Sequence, residues 1–391
     1  MKKGWTYKKL GEVCCKSSNI KWDMVSCDTS YKYIDLTSVD RDDLAIHNPQ
    51  IITKENAPSR AKQIVKNGDI IFATTRPTLR RVSLINEMYD GAICSTGFCV
   101  LRPQKEILSK WIFYCLQNNG FYNYIEPLQT GASYPAVTDG IVKGYEMLVP
   151  SLKEQKQIVE RLDAAFAQID ELKTNAEKQL AEARALFQKS LAKAMEPKEG
   201  WEEKTIGELT DSCLGKMLDK QKNRGEYQPY LRNINVRWGG FDLSDILEMK
   251  FEDGEDERYG IKTGDLIICE GGEPGRCAIW EGQIENMKIQ KALHRVRSKG
   301  HILNRYLYYS IMFYALSGFL EKYESGATIK HLTGEALRKI PLSYPSLSEQ
   351  QRIVERLDSI SEKVRKYEEI QRKIIAECDA LKQALLRQVF E

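Results

Sequence analysis

"PSLKEQKQIVERLD", residues 150–163, returns as "PSLSEQQRIVERLD" at residues 345–358, with 11 of 14 positions identical at a constant offset of 195. Each copy reads as the start of a long helix. Ser151 stands three residues before Glu154, and Ser346 three before Glu349. That is the spacing of a capping box, in which the Ser hydroxyl accepts from the Glu backbone N–H and the carboxylate reaches back. Beyond the cap, no Gly or Pro follows until Pro197 in the first copy, and none in the second. Apolar residues recur at three-and-four spacing. The first copy carries Leu162, Ile169, Leu172 and Leu180, and the second Leu357, Val364, Tyr367, Ile374 and Leu381. This is a heptad-like seam, and each helix would run on the order of 60 Å at 1.5 Å per residue.

The duplication extends upstream. Gly131 and Ala132 match Gly326 and Ala327 at the same offset, "GWTYKKLGEVC" from Gly4 parallels "GWEEKTIGELTDSC" from Gly200, and "NGDIIFA" at 67–73 parallels "TGDLIICE" at 263–270. A period near 195 is far beyond the ~20–50 residues of solenoid repeats. The chain is a tandem of two units, each a globular part followed by a long helix. Two equivalent seams can bury each other, and antiparallel pairing would set the globular parts at opposite ends of a rod. Packing of each helix on its own globular part, or on a partner's helix, are the alternatives. Residues 151–195 hold 8 basic and 7 acidic side chains and residues 346–391 hold 9 and 9, a balance that disfavours phosphate contact along the helices.

The globular parts, 1–149 and 200–344, mix β-like runs ("DIIFAT", "FCVLR", "DLIICE", "RCAIWEG", "KALHRVRS") with helical stretches ("SKWIFYCLQNN", "NRYLYYSIMFYALSGFLEKY"). The aromatics of those helices read as apolar faces rather than base-stacking platforms. No apolar run approaches the ~20 residues of a membrane span, so a soluble, cytoplasmic protein is expected. Ten cysteines occur without any C-x-x-C and with four scattered histidines, which points to reduced, mostly buried thiols and no metal.

Net charge is only +3, but it is unevenly distributed. No acid occurs from Asn286 to Leu320, a stretch holding Lys288, Lys291, His294 and Arg295; a second acid-free run, "IIFATTRPTLRRVSLIN", holds Arg76, Arg80 and Arg81. Local fields of one sign suit phosphate binding; a solvated basic face is the other reading. "CEGGEPGRCAIW" from Cys269 lacks the Lys-Ser/Thr of a Walker loop. Its Glu270, Glu273 and Arg276 on a glycine-rich turn suit an approach to base edges, Arg towards guanine and carboxylate towards cytosine. Motifs of an amino methyltransferase, a serine hydrolase, a P-loop enzyme or a zinc site are absent from the sequence. A fused DNA-modifying or DNA-cutting enzyme and a purely structural coiled-coil adaptor stand as the competing classes.

In this order and duplicated, "GATIKHLTGEALRKIPLSYPSLSEQQRIVERLD", its weaker first copy, and "GDLIICEGGEPGRCAIWEG" followed by "IQKALHRVR" resemble the specificity (S) subunits of type I restriction-modification systems. The resemblance implies an α+β fold: two similar globular α/β target recognition domains (1–149 and 200–344) separated by two long helices (in 150–199 and 345–391) forming an antiparallel coiled coil. It implies a non-catalytic subunit that binds a bipartite double-stranded DNA target, one domain per half-site. Its partners would be two methyltransferase subunits and, in the full complex, two restriction subunits. S-adenosylmethionine, ATP and Mg would belong to those partners, with no cofactor in this chain. It also places DNA contacts on the loop of Gly271, Gly272, Glu273, Gly275 and Arg276. In the first domain, which lacks that glycine pair, they would fall on Thr75, Arg76, Thr78, Arg80 and Arg81. Whether Ser133 and Tyr134 stand for Thr328 and Lys330 is open at this point.

Overall fold

The computed structural model describes residues 4–219, 221–326 and 328–391; Ala327 of the repeated Gly-Ala element lies outside them. The chain forms two compact units, Met1–Glu177 with Arg372–Glu391, and Lys178–Gln371. Among the described residues no helix is long and apolar enough to cross a membrane.

Both units are built on one frame. In the first, an antiparallel four-stranded sheet has the order Cys14–Cys15, Phe98–Pro103, Ile70–Ala73, Val82–Leu84; in the second the order is Thr210–Leu214, Leu293–Ser298, Leu266–Cys269, Cys277–Ile279. A separate two-stranded ribbon closes each frame, Thr6–Lys9 on Glu146–Val149 and Glu202–Thr205 on Pro341–Tyr344. Beyond the frame the units diverge. The first carries a five-stranded sheet containing the parallel pair Tyr31–Ile34 and Ile93–Ser95, and the second a three-stranded sheet containing the parallel pair Glu226–Leu231 and Lys288–Ile289. Strong β-formers such as "DIIFA" and "DLIIC" sit in central strands and are buried on both faces. The acid of each Gly-Asp element is buried and forks onto an arginine one strand away. Arg102 donates to Asp69 at 2.9 and 2.7 Å, and Arg297 to Asp265 at 2.6 and 2.8 Å. Packed on the frames, Trp111, Tyr114, Tyr308 and Tyr309 are core residues, as the helical reading expected.

The long helices are Leu152–Met195 and Leu347–Phe390. The first begins with the expected capping box: Ser151 N donates to Glu154 Oε2 at 3.1 Å and Glu154 N to Ser151 Oγ at 3.4 Å. The second departs from it. Ser346 Oγ bonds Ser348 Oγ, a hydroxyl that replaces the first copy's Lys153, while Glu349 is drawn to Arg352.

Within each unit the two helices run antiparallel. In the first, Asp170 pairs with Lys382 and Lys173 with Asp379, so position falls on one helix as it rises on the other. Leu162 and Phe166 share the core with Leu386 and Phe390. In the second, Arg184 pairs with Glu368 at 2.8 Å, and Leu191 and Met195 share the core with Ile353, Val354 and Leu357. Each globular core is thus completed by the start of its own helix and the end of the other, so packing on the domain and pairing with the second helix occur together.

Leu162, Ile169 and Leu357 are buried as the seam requires, and Leu180, Val364 and Ile374 are half-buried. Leu172 and Leu381 are not in the seam, being 53% and 50% exposed, and Tyr367 lies at its rim with its hydroxyl donating to Gln179. The small or polar Ala176, Gln371 and Cys378 are buried instead. A 3.6-residue turn drifts by about 20° per heptad, so a strict seven-residue reading walks off the contact line.

The repeated sentence fastens these helices to the domains. Gln155 is fully buried: its Oε1 accepts from Leu108 N at 2.9 Å, and its Nε2 donates to Glu106 O and Pro150 O. Gln350 makes the same three bonds, to Leu303 N, His301 O and Pro345 O. Two turns on, Asp163 accepts from Tyr114 and Lys110, and Asp358 from Tyr309 and Arg305. Burial and the neighbouring carboxylate push the Tyr309 hydroxyl far above its usual range. Gln350→Leu would orphan three backbone groups, and at about 1–3 kcal/mol for each unsatisfied buried group it should destabilise the second unit by about 3 kcal/mol. Chemical denaturation of the full chain, followed by tryptophan fluorescence, measures the loss.

Candidate nucleic-acid interface

The frame sets two loops side by side in each unit. In the first, the loop after Ile70–Ala73 is closed by Ala73 N donating to Arg81 O, and the loop containing Gly131 by the reciprocal bonds of Thr130 and Ala136. The two are stitched by Val137 N to Thr74 O, Arg76 N to Pro135 O, and a Thr75–Ala136 bridge. In the second unit Cys269 N donates to Arg276 O, Ser325 and His331 bond reciprocally, Leu332 N donates to Glu270 O, and Gly271 bridges to His331. The loop closures, the bridge and the bond from Val137 or Leu332 recur in both units, while the Arg76 N to Pro135 O bond belongs to the first. Counted from these closures, Ser133 stands where the second loop has Thr328, whereas Tyr134 stands opposite Ile329 and Pro135 opposite Lys330.

The side chains on these loops differ. In the first unit Arg76, Thr78, Arg80, Ser133 and Tyr134 are exposed and Thr75 and Arg81 half-buried. The Arg76 guanidinium lies over the Tyr134 ring at 4.8 Å, and that of Arg80 over Tyr122 at 4.2 Å while donating to Asn119 at 2.8 Å. In the second unit Lys291, Thr328, Lys330, Gly272 and Glu273 are exposed, Glu270 is half-buried, and Gly271 and Gly275 are buried. A Cβ on Gly275 would meet the Leu320 side chain and one on Gly271 the His331 ring, so either would push a side chain aside, and Gly275 also turns at positive φ.

Four expectations of base or phosphate contact are corrected. Lys288 is 2% exposed and paired with Asp256 at 2.7 Å. Arg295 is 3% exposed, its guanidinium given to Glu257 O, Gly260 O and Asp211. His294 is 1% exposed, with Nε2 2.8 Å from Leu332 O. Lys288 sits on the parallel strand pair, and His294 and Arg295 on an inner strand of the four-stranded sheet, so the acid-free run is largely interior. The acids that neutralise it come from distant sequence. Arg276 is also spent internally, on Glu273 at 2.8 Å and Asn233 O at 2.9 Å, and it braces the glycine loop rather than projecting from it. Sequence reading missed Tyr122, Asn119 and Trp238, which hold Arg80 and Glu273 in place; Trp238 Nε1 donates to Glu273 at 2.7 Å. Nothing local in the sequence marks them.

These loop pairs, duplicated on one frame, are the frame of a known family. The model of the type I restriction modification DNA specificity domain matches residues 2–182 and again 198–375. The chain belongs to that family. It is 25% identical over 366 residues to the EcoKI specificity subunit of Escherichia coli K12, covering 88% of this chain and 77% of that one. It is 27% identical over 189 residues to the StySPI specificity subunit of Salmonella potsdam, covering 45% of this chain and 41% of that one. Among solved structures, a chain from a study of complex assembly and conformational transition of the type I restriction-modification system aligns with a TM-score of 0.84 at 26% identity, covering 99% of this chain and 97% of that one. The HsdS subunit of Thermoanaerobacter tengcongensis aligns at 0.61 and 26%, covering 100% and 97%. The chain is a type I specificity subunit with two DNA recognition domains.

His294 gives the second loop pair a pH dependence. Burial pulls its pKa below the ordinary 6.5, outweighing the favourable Leu332 carbonyl and the Glu270 charge, while Arg338 also disfavours protonation. The folded state therefore favours the neutral ring. The unfolded chain takes up the proton first as pH falls, so this contribution is present above pH 6.5 and is lost below it. The denaturation midpoint of the second unit should drop between pH 7 and 5.5, and His294→Gln, which retains a donor, should flatten that slope.

Proposed function

We propose that the chain reads a bipartite double-stranded DNA target, one half-site per recognition domain, and that the paired helices set the gap between half-sites. The carrying observation is that two frames whose loops are closed by equivalent backbone hydrogen bonds present unlike side chains: arginines beside an exposed tyrosine on one, and a glycine loop with Lys330, Lys291 and Glu273 on the other. Matched frames with different loops are what two different half-sites require. The subunit itself performs no chemistry in this reading. It docks two modification subunits and, in the full complex, two restriction subunits, and those partners bind S-adenosylmethionine, ATP and Mg.

Removing seven residues from each long helix rotates the seam by only about 20° and shortens the pair by about 10 Å, at 1.5 Å per residue, or roughly 3 bp at 3.4 Å each. Mapping methylated positions in a genome carrying the shortened subunit should return the same half-sites with a gap smaller by about that amount. An unchanged gap would remove the measuring role from the helices.

A further inference from the structure

The shared closures of the two frames allow the recognition loops, residues 74–80 and 270–275, to be aligned from their two ends. Both begin at a strand residue whose N–H is bonded across the loop mouth, Ala73 to Arg81 O and Cys269 to Arg276 O. Inside the mouth the backbone turns left-handed twice. In the second unit the turning residues are Gly272, at φ +80°, and Gly275, at φ +85°. In the first they are Arg76, at φ +49°, and Arg80, at φ +57°. Glycine adopts this conformation freely, whereas a residue with a Cβ meets steric opposition. Asn and Asp offset it with local hydrogen bonds that an arginine side chain cannot make. The first domain therefore carries arginine at both positions where its own frame favours glycine. Strain of that kind persists where a side chain is needed at that point in space.

The two arginines are used differently. Arg80 is held down, stacked on Tyr122 and bonded to Asn119. Arg76 is anchored by its backbone, its N–H donating to Pro135 O at 2.7 Å, and its guanidinium is stacked on Tyr134, which is 69% exposed. Among the described residues that guanidinium has no hydrogen-bond or ion-pair partner. A planar fork fixed by a ring, with its donor edge free, suits bidentate recognition of guanine O6 and N7 in the major groove. A phosphate would need only a point charge, which an unstrained lysine on any neighbouring residue supplies.

We propose that Arg76 is the guanine-reading side chain of the first recognition domain, with Tyr134 as the ring that orients it. This rests on the half-site reading above. The test uses the full chain in complex with its modification subunits, selecting from a duplex library randomised in one half-site at a time. The wild type should select guanine at one position of the first half-site. Arg76→Gly and Arg76→Ala should each lose that preference by roughly tenfold to a hundredfold, leaving the other positions and the second half-site unchanged. Arg76→Gly should melt no lower than the wild type, because glycine relieves the left-handed strain, and higher than Arg76→Ala. Arg76 as a structural brace would instead show both variants melting well below the wild type, which overturns the proposal. A uniform loss for all sequences, with a salt slope shallower by about one, reassigns Arg76 to a phosphate and also overturns it. No selected guanine in a first half-site that is otherwise well defined overturns the guanine assignment while leaving the half-site reading intact. Variants that alter both half-sites together would sink that reading itself.

Discussion

Two buried glutamines carry the connection on which this architecture depends. A side-chain amide carries two N–H donors and an acceptor oxygen on separate atoms without a charge, and Gln155 and Gln350 use both ends against backbone groups exposed where a globular domain hands over to its helix. Each bonds the N–H that opens the helix of the globular part, the carbonyl two residues earlier, and the carbonyl just before its own helix. Three bonds to three separated backbone points leave the helix start no freedom to rotate or slide. A charged residue there would be desolvated at high cost, and an apolar one would strand the backbone groups.

With the start fixed, Asp163 and Asp358 determine the direction. Each sits two turns along, facing the tyrosine and the base of the helix beneath it. A latch at the first turn and a second at the third define an axis. The far end of the opposite helix then completes the core: Phe390 packs on Trp111 at 4.8 Å in one unit, and Met195 accepts from Ser310 in the other. Neither globular part closes its core with sequence from its own half alone. The helices are therefore structural members of both domains, which makes a change in helix length compatible with folding only when the phase of these packing residues is kept.

The sequence revealed more of the frame than of the surface, for a physical reason. Helix starts, strand runs and the tandem offset are written in local residue patterns, and the fold has them where the patterns put them. The fate of a charge is decided by residues far away. Lys288 meets Asp256, Arg295 meets Asp211, and Arg297 meets Asp265, so a run that looks basic along the chain is neutralised across the sheet. The Glu of the second capping box was diverted by one nearby arginine, and two seam leucines by the drift of the helical period. The first loop's arginines stand in an acid-free run, which is a local signal. What distinguishes its arginines, a stacked ring and a left-handed backbone, depends on partners such as Tyr134 and Tyr122 that lie some 40 to 60 residues away.

The division between shared and unshared positions follows from where a substitution would be felt. Gln155, Asp163, Asp69 and Arg102 each satisfy partners that would otherwise be buried and unpaired, and the second unit keeps the same residue type at each equivalent place: Gln350, Asp358, Asp265 and Arg297. Loop residues answer to solvent and to whatever approaches from it, so the stitching through backbone N–H and C=O groups leaves their side chains free to differ. Backbone stitching is what makes this possible, since it is indifferent to side-chain identity except where φ is positive. At those two positions the second domain keeps glycine and the first does not. Arg76 and Arg80 lie outside the buried strand Ile70–Ala73, so the exception falls on the loop and not on the sheet beneath it.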